Sequence, residues 1–274
     1  INRAPDEFAH AKYSAMRERS VGLGVMGLHS YFQQKNIPFG SVMSKVWNKK
    51  IFKNIQEKVD LASVSLAEER GACPDAAEYG MKERFSNKTA IAPTASISII
   101  CGGSSPGIEP IAANSYTHKT LSGSFNVRNK YLKKILQKHK KDTDDVWSTI
   151  TTNQGSVAHL DFLTPEEKDT FKTAFEIDQR WIVELGADRT PHISQAQSIN
   201  IFIPADIHKK DLHDLHFQAW KKGLKSLYYC RSKSIQRAEN VNKGTSTDVT
   251  KNVYSQGQES NNKSNNYEEC LSCQ

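Results

Sequence analysis

The chain has no long apolar run. None of its segments approaches the roughly 18–20 residues that a membrane helix needs, and no charged-then-apolar leader opens it. A membrane partner is therefore not expected. Cysteine is also scarce. Cys73, Cys101, Cys230, Cys270 and Cys273 are the only five in 274 residues. An odd count at mostly wide spacings argues against a secreted disulfide scaffold and makes a reducing cytoplasm the expected compartment. Neither sign of charge dominates, since 37 basic against 30 acidic residues leave a formal net charge of +7. That surplus suits a phosphate-bearing ligand or an acidic partner and gives no reason to expect nucleic-acid binding. The first residue is Ile1 rather than Met, which leaves a fragment, a processed product and a trimmed chain all open.

Two apparent motifs lack the context that would give them chemistry. Gly22-x-Gly24-x-x-Gly27 matches the dinucleotide fingerprint in form. That fingerprint needs a strand before it and an acidic residue about 20 positions later. Met16-Arg-Glu-Arg-Ser20 does not read as a buried strand, so the glycines read as sites of close helix packing. His213-x-x-His216 has no third ligand at a recognised zinc spacing, and no metal is expected. Cys73 and Cys101 read as structural residues.

What is present reads as alternating strands and helices. Residues 41–72 carry apolar positions at helical spacing and stop at Gly71. Residues 90–92 form a short strand running into Pro93-Thr-Ala-Ser96. Small residues there leave backbone N–H groups open to an anion if a helix starts at that point. A polar loop with a Ser/Thr helix cap fits equally well. The basic stretch 116–136 reads as a solvated helix face. Residues 143–155 read as a helix with an acidic first turn and a glycine stop. Thr164-Pro-Glu-Glu167 is a capping box. The helix it opens carries Phe171, Ala174, Phe175, Trp181, Ile182 and Leu185 and stops at Gly186. Ser198-Ile-Asn-Ile-Phe-Ile-Pro204 is a buried strand. A helix over 209–222 follows, with Leu212, Leu215, Ala219 and Trp220 inward.

That helix delivers the chain into Gly223-Leu-Lys-Ser-Leu-Tyr-Tyr-Cys230. Adjacent residues on a strand point to opposite faces, so Tyr228 and Tyr229 are expected on opposite sides. The pair is either an ordinary aromatic strand or a route for chemistry from one face to the other. Strand, helix, strand in succession signals parallel α/β architecture. Residues 232–269 hold too few apolar side chains to order themselves. As a flexible coil they span roughly 30–37 Å. They end in Cys270-Leu-Ser-Cys273, a pair that could be half a zinc site or an exchanging dithiol on a tether.

Taken together and in this order, these motifs resemble the large subunit of class I ribonucleotide reductase. Those carrying the likeness are Gly22-Leu-Gly24-Val-Met-Gly27, Pro93-Thr-Ala-Ser96, Gly107-Ile-Glu-Pro110, Gln197-Ser198-Ile-Asn200, Leu227-Tyr228-Tyr229 and Cys270-Leu-Ser-Cys273. The sequence looks closest to virus-encoded forms and corresponds to the C-terminal part of that subunit.

The resemblance implies that residues 1–231 are the C-terminal portion of a ten-stranded α/β barrel, followed by a disordered tail over 232–274. It implies that Thr94, Ala95, Ser96 and Ile97 hold the substrate diphosphate. Ile97 replaces a hydroxyl residue often found there, so it would act through its main-chain amide. Tyr228 and Tyr229 would be the radical-transfer pair, Tyr228 nearer the substrate and Tyr229 nearer the subunit interface. Cys270 and Cys273 would re-reduce an active-site disulfide and be reduced in turn by thioredoxin or glutaredoxin. No cofactor would sit on this chain, and a metal-tyrosyl radical would reside in the partner small subunit. The family's Asn-x-Cys-x-Glu finger loop does not occur in this sequence. The implied partners are therefore an N-terminal part of the large subunit, the radical-generating small subunit and a ribonucleoside diphosphate substrate. Two other readings are a cobalamin-dependent class II reductase fragment and a non-catalytic nucleotide-binding assembly module. Neither needs both the tyrosine pair and the terminal dithiol.

Overall fold

The computed structural model describes residues 1–120 and 123–232. In chain order the elements are helices α1 (Ala9–Glu18), α2 (Leu28–Gln34), α3 (Val42–Arg70), α4 (Pro74–Glu78) and α5 (Ala95–Ile100). Strands β1 (Ser115–Thr120) and β2 (Gly123–Arg128) follow, then helices α6 (Lys130–Lys138), α7 (Asp144–Thr152), α8 (Pro165–Thr170) and α9 (Gln179–Arg189). Strand β3 (Ile201–Ile203), helix α10 (Lys209–Lys221) and strand β4 (Cys230–Ser232) complete the described chain.

The organising feature is a parallel layer of four extended segments that lie side by side in chain order. Residues 21–23 meet residues 88–90, through Leu23 N–H to Lys88 O (2.9 Å) and Ala90 N–H to Leu23 O (3.1 Å). Residues 89–91 meet 195–198, through Ile91 N–H to Ala196 O (3.2 Å) and Ser198 N–H to Ile91 O (3.0 Å). β3 then pairs in parallel with β4, Ile201 opposite Cys230. Helices fill every connection, as parallel pairing requires. The fold is α/β, with α3 and α9 against each other behind the layer.

Local signals account for most helix ends. Ser41 caps α3 by accepting from Ser44 N–H (3.1 Å), and Gly71 ends it at φ 82°. Thr164 and Glu167 form the reciprocal capping box of α8. Asp178 caps α9 by accepting from Arg180 N–H (3.0 Å). That second cap corrects the expectation of one helix from Thr164 to Gly186. Glu176 takes the N–H and hydroxyl of Thr173 (2.8 Å each), so the chain turns and restarts. Gly186 lies inside α9, where a Cβ would come within 2.9 Å of Ile199 Cδ1. Its smallness brings the helix onto the layer.

Three further expectations are corrected. β1 and β2 form an antiparallel hairpin, Ser115 opposite Arg128, so the basic stretch becomes helix only at α6. Gly22 lies in the first extended segment and Gly24 directly follows it, neither in a helix. A Cβ on Gly24 would sit 2.6 Å from Ala90 O, so this glycine permits close approach of two strand backbones. Trp220 is 72% exposed, whereas Leu215 and Ala219 are buried.

The main core packs Leu28, Phe32, Phe39, Phe52, Leu185 and Ile199 between α2, α3, α9 and the layer. A second cluster of Leu132, Leu136, Trp147, Ile150 and Phe171 joins α6, α7 and α8. Arg189 is wholly buried in the main core region. It donates to Gln197 Oε1 (2.6 Å) and Asn48 Oδ1 (3.1 Å) and lies over the Phe52 ring, tying α9 to α3 and to the third segment. Among the described residues no helix is long and apolar enough to cross a membrane.

Candidate functional site

The tyrosine pair departs from strand alternation. The Tyr228 and Tyr229 rings lie side by side, with centroids 4.1 Å apart at an interplanar angle of 52°. The backbone explains why. In a regular parallel ladder, the two main-chain bonds around one residue go to a single partner residue. Around Asn200 they go to two. Tyr228 N–H donates to Ile199 O (2.8 Å), while Ile201 N–H donates to Tyr229 O (2.9 Å). Tyr228 and Tyr229 together therefore oppose Asn200, and pairing resumes with Ile201 opposite Cys230. This is a β-bulge, and the extra residue breaks the alternation of side chains. The expectation of opposite faces is corrected on that ground.

A bulge leaves a main-chain group outside the ladder. Here it is Tyr229 N–H, which donates to the side-chain Oδ1 of Asn200 (3.0 Å). Asn200 Nδ2 donates to Glu109 Oε1 (2.6 Å), and both residues are buried. Burial pushes the Glu109 carboxyl up to about 7, against the Asn200 hydrogen bond and the nearby Arg231 charge. Upstream, Lys225 Nζ donates to the carbonyls of Ile193 (3.0 Å), Ser194 (2.7 Å) and Gln195 (3.1 Å). All three ammonium protons are thus used. The two residues stay accessible, at 44% exposure for Tyr228 and 46% for Tyr229.

The second segment ends in a different kind of structure. Thr94 occupies the left-handed region at φ 52° and precedes α5. Its hydroxyl does not cap the helix. Thr94 Oγ1 instead accepts from Gly107 N–H (2.7 Å), closing the loop back on itself. Gly107 sits at φ 45°, and a Cβ there would be 2.9 Å from Ala92 O. The first intrahelical bond is Ser98 N–H to Thr94 O. The N–H groups of Ala95, Ser96 and Ile97 therefore precede the ladder, as in any helix first turn. Ile97 is 55% exposed.

Between α5, the hairpin and the ends of β3 and β4 lies a cavity of about 370 Å³. Ala95, Ile99, Glu109, Tyr116, Phe202 and Arg231 are among its lining residues. It thus adjoins both the α5 loop and the Glu109–Asn200 pair. Cys73 is buried, while Cys101 is exposed. Cys230 is exposed, with Sγ 4.0 Å from His216 Nε2. His213 stacks on Phe217, and no group of three metal-ligating side chains occurs among the described residues. Cys270 and Cys273 lie outside the described residues.

A family profile described as "Ribonucleotide reductase, barrel domain" matches residues 1–82 and 75–230. The chain belongs to the ribonucleotide reductase family. It corresponds to the C-terminal part of the reductase large subunit. The large subunit of ribonucleoside-diphosphate reductase from Invertebrate iridescent virus 6 is 47% identical over 245 residues, 88% of this chain and 25% of the relative. The corresponding subunit of Invertebrate iridescent virus 3 is 43% identical, over 90% of this chain and 39% of the relative. The class Id ribonucleotide reductase alpha subunit of Actinobacillus ureae superposes with a TM-score of 0.79 at 40% identity, covering 85% of this chain and 42% of that one. The chain therefore spans well under half the length of these reductase subunits.

The tyrosines and the Thr94 loop stand out in the sequence, whereas the residues that set the tyrosine backbone do not. Asn200 and Glu109 were visible only as parts of motifs, and Lys225 only as a flank. Their partners are 29, 91 and 30–32 residues away, and no local pattern reports such bonds.

Proposed function

We propose that this chain is the C-terminal part of a class I ribonucleoside-diphosphate reductase large subunit, within a ten-stranded α/β barrel completed by the N-terminal part. The side-by-side contact of Tyr228 and Tyr229 carries this reading. Two phenols in contact allow a one-electron hop from ring to ring, with each phenol losing its proton as its radical forms. Tyr229 receives the oxidising equivalent from the radical-bearing small subunit and Tyr228 passes it to the catalytic cysteine. The metal-tyrosyl radical belongs to that partner.

The substrate's diphosphate sits at Thr94, Ala95, Ser96 and Ile97. The three N–H groups ahead of the α5 ladder support this, since such donors suit anionic oxygens. The exposed Ile97 side chain leaves its amide as the contributing group. Each turnover oxidises two thiols to a disulfide as the ribose is reduced. Cys270 and Cys273 exchange with that disulfide, become oxidised themselves, and are restored by thioredoxin or glutaredoxin. A cytoplasmic location suits this thiol cycle. The cobalamin-dependent alternative is not favoured, because the solved relative is a class I subunit.

The test is turnover of ribonucleoside diphosphate by the chain assembled with the rest of the large subunit and the small subunit. Tyr228→Phe keeps the packing but removes the phenol, and turnover should vanish. Cys270→Ser should permit one turnover and block thioredoxin-driven cycling. Full turnover by Tyr228→Phe would refute the relay.

A further inference from the structure

We propose that Asn200 and Glu109 are positioning residues for the tyrosine pair, holding open the bulge that puts both rings on one side. The inference rests on the relay reading above and adds the device that makes the relay geometrically possible.

A regular strand through residues 228–230 would send consecutive side chains to opposite faces. Two consecutive tyrosines can touch ring to ring only if an extra residue is inserted, and the bonds around Asn200 show that insertion. An unsupported bulge tends to be lost, because the ladder regains a bond when register closes up. A one-residue slip would move every later side chain to the other face. It would also separate the phenols.

Asn200 removes that tendency. Its Oδ1 accepts from Tyr229 N–H (3.0 Å), satisfying the group the bulge sets outside the ladder. Its amide cannot flip without cost, because Nδ2 is committed to Glu109 Oε1 (2.6 Å). Asn200 is wholly buried and Glu109 is 7% exposed, so water does not readily replace either bond. Glu109 comes from the Gly107-Ile-Glu-Pro110 loop, whose Gly107 N–H is held by Thr94. The loop proposed to bind phosphate and the bulge that seats the tyrosines are therefore joined through Glu109 and Asn200.

The experiment uses the assembled reductase. Asn200→Leu removes both bonds at similar volume. It should lower kcat by roughly 100-fold, the scale expected for misplacing a reacting group by about 1 Å, with KM for the ribonucleotide nearly unchanged. Hydrogen exchange at the Tyr229 amide should accelerate in the same protein. Glu109→Leu should behave similarly, and Glu109→Gln, which keeps an acceptor for Asn200, should recover most of the loss. If Asn200→Leu fails to assemble, Asn200→Asp decides. It keeps the acceptor for Tyr229 but loses the donor to Glu109, and should show an intermediate kcat. Wild-type kcat with a freely exchanging Tyr229 amide, or no recovery by Glu109→Gln, would overturn the inference. Tyr228→Phe run alongside separates the two readings. A dead Tyr228→Phe with fully active Asn200 variants sinks only the positioning role, whereas an active Tyr228→Phe sinks the relay beneath it.

Discussion

The tyrosine stretch lies within one segment of the parallel layer and the Thr94 loop follows another, yet their backbones are treated in opposite ways. Around Tyr228 and Tyr229 the main chain is committed. Ile199, Asn200 and Ile201 take up its groups, and Lys225 pins the approach to residues 193–195. The side chains are left accessible. At Thr94 the reverse holds. The hydroxyl is engaged by Gly107, while three successive main-chain N–H groups precede the helical ladder. One region fixes its backbone so that rings meet at a set distance. The other holds a side chain and keeps successive main-chain N–H groups ahead of the helical ladder, as the proposed diphosphate site requires.

The contrast breaks most severely at Gly107. Gly107→Ala forces a left-handed φ on a residue with a Cβ and drives it to 2.9 Å from Ala92 O. Together these should cost about 3–4 kcal/mol, read as a fall in denaturation midpoint. If the proposed diphosphate site is right, ribonucleotide binding should weaken as the Thr94 contact is lost.

The next effect is a pH dependence centred on Glu109. Its carboxyl is raised from an ordinary 4.5 to about 7 by burial. Between those values the folded form keeps a proton that the unfolded form has lost, so stability falls as pH rises through the window. The loss should be of the order of 3 kcal/mol. Glu109→Gln should remove it, flattening thermal stability between pH 4.5 and 7. An unaltered slope in that variant would show that another group titrates.

Lys225→Met should destabilise by about 1–2 kcal/mol, since three carbonyls lose a charged donor in a partly exposed site. A larger share of the change should appear as loosened hydrogen exchange across residues 223–229 than elsewhere. The smallest effect belongs to Ile97→Ala. Its exposed side chain contributes little packing, so stability should shift within about 0.5 kcal/mol. If only the Ile97 amide serves the ligand, KM for the ribonucleotide should also hold. A large rise in KM would place the side chain itself in the site.

Much of this was legible in order along the chain. Ser41, Thr164 and Gly71 mark helix ends because caps and stops depend on residues within a few positions of one another. The strand over 198–204 and the helix over 209–222 follow from apolar runs and spacing. The long helix expected from Thr164 failed because Thr173, Glu176 and Asp178 build a turn and a new cap inside it. The pairing of β1 with β2 is not legible there, because counting positive charges says nothing about period. Trp220 was misplaced because periodicity assigns a face without saying whether anything covers it.

By itself, then, the sequence determined the alternation of strands and helices, the position of the Thr94 loop and the adjacency of Tyr228 and Tyr229. Adjacency in a strand predicts separation in space. Only the tertiary structure decided that the two rings meet, because that depends on an inserted residue opposite Asn200. The insertion is held by a bond network reaching across 91 residues to Glu109. Local patterns encode period and caps, whereas a bulge is settled by which distant group accepts the one N–H that the ladder leaves out.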